Sequence, residues 1–84
     1  QQLILPTDFI QAAENYHLMP LIDEWVVNQT CKLLYENKEQ LDCFEMCGIN
    51  LSAQSIISKR FKETVIEILE KYEIPHEKIC FEIT

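Results

Sequence analysis

The sequence predicts an α/β fold in the order helix, helix, strand, helix, strand, with the two strands parallel. Three stretches predict it. Asp42 to Ile49 is nearly continuous in apolar residues, through Cys43, Phe44, Met46, Cys47 and Ile49, as in a strand covered on both faces by helices. Ser58 then precedes a segment from Lys59 to about Tyr72 in which Phe61, Val65, Ile68, Leu69 and Tyr72 form one apolar stripe. Ile79 to Ile83 is a second short apolar run. A strand, a helix and a strand in series make a βαβ unit, whose strands run parallel and adjacent.

The remaining elements follow from local signals. Gln1 to Leu5 reads as the tail of a unit that begins earlier. Pro6 and Thr7 open a helix with Thr7 or Asp8 as N-cap and Phe9, Ile10 and Ala13 on one face, ending near His17. Pro20 fits the first turn of a second helix, where its missing N–H costs nothing. Asp23 and Glu24 are placed in that first turn, where acids suit the helix dipole. Ile22, Trp25, Val26, Gln29 and Leu33 recur at helical spacing and predict the buried side of this helix, which runs to about Tyr35. Glu36 to Gln40 is a charged turn. Ser52 and Gln54 belong to a short turn or helical start after the first strand, and Pro75 stops the last helix.

At 84 residues the chain is one domain at most. A single glycine argues against a phosphate-cradling glycine loop, and a formal charge of −7 argues against a nucleic-acid polymer as partner. An acidic site can still take a phosphate through bound divalent cations. The four cysteines, at positions 31, 43, 47 and 80, lie inside apolar-periodic stretches. They read as reduced core residues of a cytoplasmic chain. Cys43 and Cys47, if both on one strand, stand about 13 Å apart and share no metal. No apolar run approaches the ~20 residues of a membrane span.

The candidate site lies at the strand ends. Cys47-Gly48-Ile49-Asn50 ends an apolar run in an amide, and Ser52 follows as a helix cap. Ile79-Cys80-Phe81-Glu82-Ile83-Thr84 has the same shape, with an acid at its tip. Side chains alternate along a strand, so Met46, Gly48 and Asn50 share one face, and Cys80 and Glu82 share one face. With the aliphatic faces under the helices, Asn50 and Glu82 point the other way from strands about 4.8 Å apart. An amide oxygen and a carboxylate oxygen at that spacing can reach a common cation. Hard oxygen donors suit Mg²⁺ or Mn²⁺ and not zinc.

These residues resemble a known family. Ile49-Asn50-Leu51-Ser52-Ala53-Gln54 resembles the "VNLSA" segment of EAL domains, the bacterial phosphodiesterases of cyclic di-GMP. Phe81-Glu82-Ile83-Thr84 resembles their "LEIT" segment. Pro6-Thr7-Asp8-Phe9-Ile10 with Ala13-Glu14 resembles "P-x-x-F-I-P-x-A-E", and Ile22-Asp23-Glu24-Trp25-Val26-Val27 resembles "I-D-x-W-V-L". Order and spacing match along essentially the whole chain. The "E-A-L" segment, the later aspartate pair, the catalytic lysine and the last glutamates fall outside this chain in the family pattern. Gln11 stands where Pro is usual and His17 where Gly is usual, departures that bear on substrate fit and not on metal binding.

The resemblance implies a fragment of a modified TIM (β/α)₈ barrel, with residues 1–84 a partial EAL domain. A full barrel takes roughly 250 residues. The implied reaction is hydrolysis of cyclic di-GMP to the linear dinucleotide with two divalent cations, Mg²⁺ or Mn²⁺. By match, Asn50 and Glu82 are the metal ligands, with no other catalytic residue in this stretch. Pro6 and Asp23 lie in segments that border the guanine pockets and are the implied substrate contacts. The expected partners are cyclic di-GMP, further copies of the chain through exposed strand edges, and a neighbouring GGDEF or sensory domain in the parent protein. Two ligands cannot hold two cations, so the 84 residues alone are expected to be inactive. The alternatives are a degenerate EAL-like domain acting as a non-catalytic cyclic di-GMP receptor, or a small α/β interaction module.

Overall fold

The computed structural model describes residues 7–43 and 46–83. Its elements are α1 (Thr7–Asn15), α2 (Met19–Glu36), a 3₁₀ turn (Lys38–Cys43), β1 (Cys47–Leu51), α3 (Ala53–Ile56), α4 (Lys59–Lys71), a 3₁₀ turn (His76–Lys78) and β2 (Ile79–Ile83). β1 and β2 form a parallel two-stranded sheet, paired from Cys47 with Ile79 to Leu51 with Ile83. The expected element order and strand direction therefore hold, with α3 as a short extra helix.

α4 forms as its sequence dictates. The Ser58 hydroxyl accepts the Phe61 amide at 3.1 Å and caps the first turn. Phe61, Val65, Ile68 and Leu69 are buried and Tyr72 packs beside them. Burying side chains of this size contributes about 1.5–3 kcal/mol each before conformational entropy is charged. They meet Ile49 and Leu51 from β1, Phe81 and Ile79 from β2, and Val27 and Cys31 from α2 in one core. At the far end, the Tyr35 and Tyr72 rings meet at 6.0 Å between centroids and join α2 to α4.

Both helix ends at α1 and α4 use the same closure. Leu18 N–H donates to Ala13 O at 2.7 Å and His17 N–H to Glu14 O at 3.2 Å. At α4, Ile74 N–H donates to Leu69 O at 3.0 Å and Glu73 N–H to Glu70 O at 3.2 Å. These are Schellman ends, which require a left-handed residue. His17 (φ 58°) and Glu73 (φ 55°) supply it without being glycine. The glycine that the family pattern places at position 17 has this physical reason.

Several expectations need correction. Thr7 is already helical, so neither Thr7 nor Asp8 caps α1; Pro6 and the preceding residues lie outside the described residues. α2 begins at Met19, which moves Asp23 and Glu24 out of its first turn. Asp42 and Cys43 belong to the 3₁₀ turn, and β1 begins only at Cys47. An apolar run alone does not separate strand from turn, and the strand spacing assumed between Cys43 and Cys47 falls with it. Cys31 is buried, but Cys47 is half-buried and Cys80 is exposed, so the thiols are not uniformly core.

The largest correction concerns α2. Its core face is Asp23, Val27 and Cys31. The stripe Ile22, Trp25, Val26, Gln29 and Leu33 lines an open groove of about 700 Å³ beside β1, and of these Val26 also packs against the core. Trp25 is 51% exposed there. α2 carries apolar residues on two sides, and helical spacing cannot say which side meets the core. Among the described residues no helix is long and apolar enough to cross a membrane.

Two measurements check this description. Glu73→Gly should raise stability by ~0.5–1 kcal/mol, since relief of the left-handed strain outweighs the added freedom of the unfolded chain. That is a rise of a few degrees in melting temperature, whereas a fall would contradict the left-handed assignment. Burial, with the Cys47 thiol adding to it, pushes the Cys31 thiol from 9.0 up to about 11. Its folded form thus binds protons more tightly than its unfolded form, so its contribution to stability is full below about pH 9 and lost as pH rises through about 11. Alkylation at pH 8 should label Cys80 readily and Cys31 only on unfolding.

Candidate functional site

β1 and β2 place the site through register and alternation. Asn50 and Glu82 are direct cross-strand partners. Ile49 and Leu51 turn into the core at 3% and 2% exposure, which turns Gly48 and Asn50 outward. Cys80 and Glu82 are exposed in the same way on β2. In a parallel in-register pair, opposite residues share a face. The amide of Asn50 and the acid of Glu82 are therefore neighbours on one open face, at the carboxyl ends of two adjacent strands.

Gly48 shapes this face. A Cβ at position 48 would lie 2.9 Å from Glu82 Oε1. The carboxylate thus leans diagonally across the sheet into the space that the glycine leaves. The chain's single glycine serves a close side-chain approach, since its φ is not positive. Sequence reading placed Gly48 on the correct face but missed this role.

Asp23, implied by the resemblance as a substrate contact, lies where α2 meets the turn after β1. It is 5% exposed, on the core side of α2. Its Oδ2 accepts the Ser52 amide at 2.9 Å and the Ser55 hydroxyl at 2.5 Å. Ser52 also caps α3, its Oγ accepting the Ser55 amide at 3.3 Å. Ser55 is fully buried. The turn after Asn50 is thereby tied to α2 by hydrogen bonds to a charged acceptor, a class that contributes about 1.5–3 kcal/mol each. Ser55 was not singled out from sequence. The signal was available: Asp23 precedes Val27 and Cys31 at intervals of four, and an acid on a buried face must find donors.

A second tie holds α3 to α1. Gln54 Nε2 donates to Glu14 O at 3.0 Å and lies 3.4 Å from His17 Nδ1. The groove beside β1 includes Asp23 and Asn50 among its lining residues but not Glu82. It runs beside β1 and shares Gly48 and Asn50 with the outward face. Pro6 lies outside the described residues; the structure pairs Asn50 with Glu82, and Asp23 lines the groove with Asn50 while tied to the turn that follows β1.

The donors present are an amide and a carboxylate oxygen, the chemistry of a hard divalent cation. Among the described residues no cluster of three or more His, Cys, Asp or Glu forms a metal-binding group. Two oxygens are a partial set for a six-coordinate ion.

The family model described as EAL domain matches residues 1–84. A cyclic di-GMP phosphodiesterase of Escherichia coli, PdeF, is 34% identical over 99% of this chain and 11% of its own length. A cyclic di-GMP phosphodiesterase of Shewanella oneidensis, PdeB, is 35% identical over 99% of this chain and 10% of its own length. The chain thus spans about a tenth of the length of these relatives.

Replacing Gly48 tests the reading of the outward face. The atom that an added Cβ meets is the far end of a flexible side chain. Gly48→Ala should therefore leave the melting temperature unchanged or raise it slightly, while displacing the Glu82 carboxylate. Carboxyl chemical shifts report the displacement. A loss of several degrees would mean that backbone, not the carboxylate, fills the space.

Proposed function

Since the chain belongs to the EAL domain family, we propose that residues 1–84 are part of one EAL domain in a protein that hydrolyses cyclic di-GMP to the linear dinucleotide. The observation that carries this reading is the cross-strand pairing of Asn50 with Glu82 on an open sheet face. Similarity to two proteins named cyclic di-GMP phosphodiesterases supports the choice of substrate.

EAL domains are in general metal-dependent. In the proposed reading Asn50 Oδ1 and the Glu82 carboxylate hold Mg²⁺ or Mn²⁺, with the remaining ligands from elsewhere in the domain. When bound, such cations, two in this reading, would supply charge stabilisation at the phosphate and a more acidic bound water. The need for them follows from charge. Cyclic di-GMP is a dianion, and this chain carries −7, so the acid at position 82 repels substrate unless a cation stands between them. Asn50 adds a donor oxygen without adding charge. The rigid β1–α3 turn keeps that oxygen at the strand tip.

In the complete protein, Asn50→Ala and Glu82→Gln should each lower the rate of cyclic di-GMP hydrolysis on the order of 100-fold, with higher Mn²⁺ partly restoring it. Unchanged turnover in Glu82→Gln would end the metal-ligand assignment. The 84 residues alone should show no turnover and self-associate through the exposed strand edges, as sedimentation will show.

A further inference from the structure

We propose that Asp23 is a positioning residue for the metal-binding amide and not a contact to substrate. This rests on the reading of Asn50 as a metal ligand, and it assigns that ligand its support. β1 ends at Leu51, whose pairing with Ile83 is the last of the ladder. Asn50 is thus one residue from the end of its strand, where pairing alone leaves a side chain free to fray.

The chain continues into α3, a helix of four residues. A helix this short has no cooperative stability of its own. What fixes the turn is Asp23, on the 18-residue α2. One carboxylate oxygen takes both the N–H of Ser52, the first residue after the strand, and the hydroxyl of Ser55, inside the short helix. The strand exit and the helix entry are therefore held by one atom of a long, core-packed element. At 5% exposure with that oxygen doubly engaged, Asp23 is placed to hold the backbone. A guanine or phosphate would have to displace those donors to use the same oxygen.

The experiment uses the complete EAL protein and three variants, Asp23→Ala, Asp23→Asn and Ser55→Ala. Mn²⁺ affinity is read by paramagnetic resonance titration, and kcat and KM for cyclic di-GMP are read separately. Support at a ligand's second layer is typically worth 10–100-fold in metal affinity. Asp23→Ala should weaken Mn²⁺ binding by about 10-fold or more and lower kcat, with KM changed less than about threefold. Asp23→Asn keeps an acceptor oxygen and should recover most of the Mn²⁺ affinity. Ser55→Ala removes one donor from the tie and should shift Mn²⁺ affinity in the same direction by less.

A KM raised tenfold or more with Mn²⁺ affinity intact would overturn the proposal in favour of a substrate contact. Unchanged Mn²⁺ affinity and KM in Asp23→Ala would overturn it outright. Exchange of the Ser52 amide separates this proposal from the phosphodiesterase reading. Wild-type protein that binds no Mn²⁺ and turns over no substrate refutes the latter. Protection of the Ser52 amide that survives in Asp23→Ala refutes the tie whatever the activity.

Discussion

Parallel pairing in one register is the constraint from which the rest of the site follows. A shift of β2 by a single residue would carry Glu82 to the core face and bring Phe81 or Ile83 beside Asn50. The core prevents that slip. Ile49 and Leu51 are almost wholly enclosed, and Ile79 and Phe81 pack against the same cluster. The apolar side of each strand thus sets the position of the polar side. Gly48 then lets the acid lie close to the sheet. The helices supply the burial and the strands convert it into the relative position of Asn50 and Glu82.

The two halves of this arrangement were not equally legible in the sequence. α4 could be read almost residue by residue, because it has one apolar stripe, a serine cap and a proline just beyond its end. β2 and the outward face followed from alternation alone. α2 resisted, because it carries apolar residues on two sides and only the fold decides which side meets the core. Its groove-facing residues Trp25 and Leu33 remain exposed in these 84 residues. The run before β1 misled for another reason: Asp42 and Cys43 close a mostly polar 3₁₀ turn, and the strand begins only at Cys47. Asp23 was placed in the right segment, but its partners at positions 52 and 55 are distant in sequence and carry no periodic signature.

The arrangement is a portion of the TIM-barrel-like fold of EAL domains: two adjacent parallel strands, the helices around them, and polar residues at the strand tips. In barrels of this kind the strand ends carry the chemistry and the opposite face carries stability. In this stretch both polar groups lie at the carboxyl end of β1. Asn50 and Glu82 stand outward near the strand tips, while Asp23, Ser52 and Ser55 form a closed polar tie immediately behind. A buried polar tie of this sort fixes geometry because its donors have no other acceptor of equal quality once water is excluded.

The most direct test of the account is the position of a bound cation. Crystals of the complete domain with Mn²⁺ should give an anomalous peak about 2.1 Å from both Asn50 Oδ1 and a Glu82 carboxylate oxygen. A peak bound by other residues, with Asn50 and Glu82 both left uncoordinated, would contradict the claim that strand register builds the metal site.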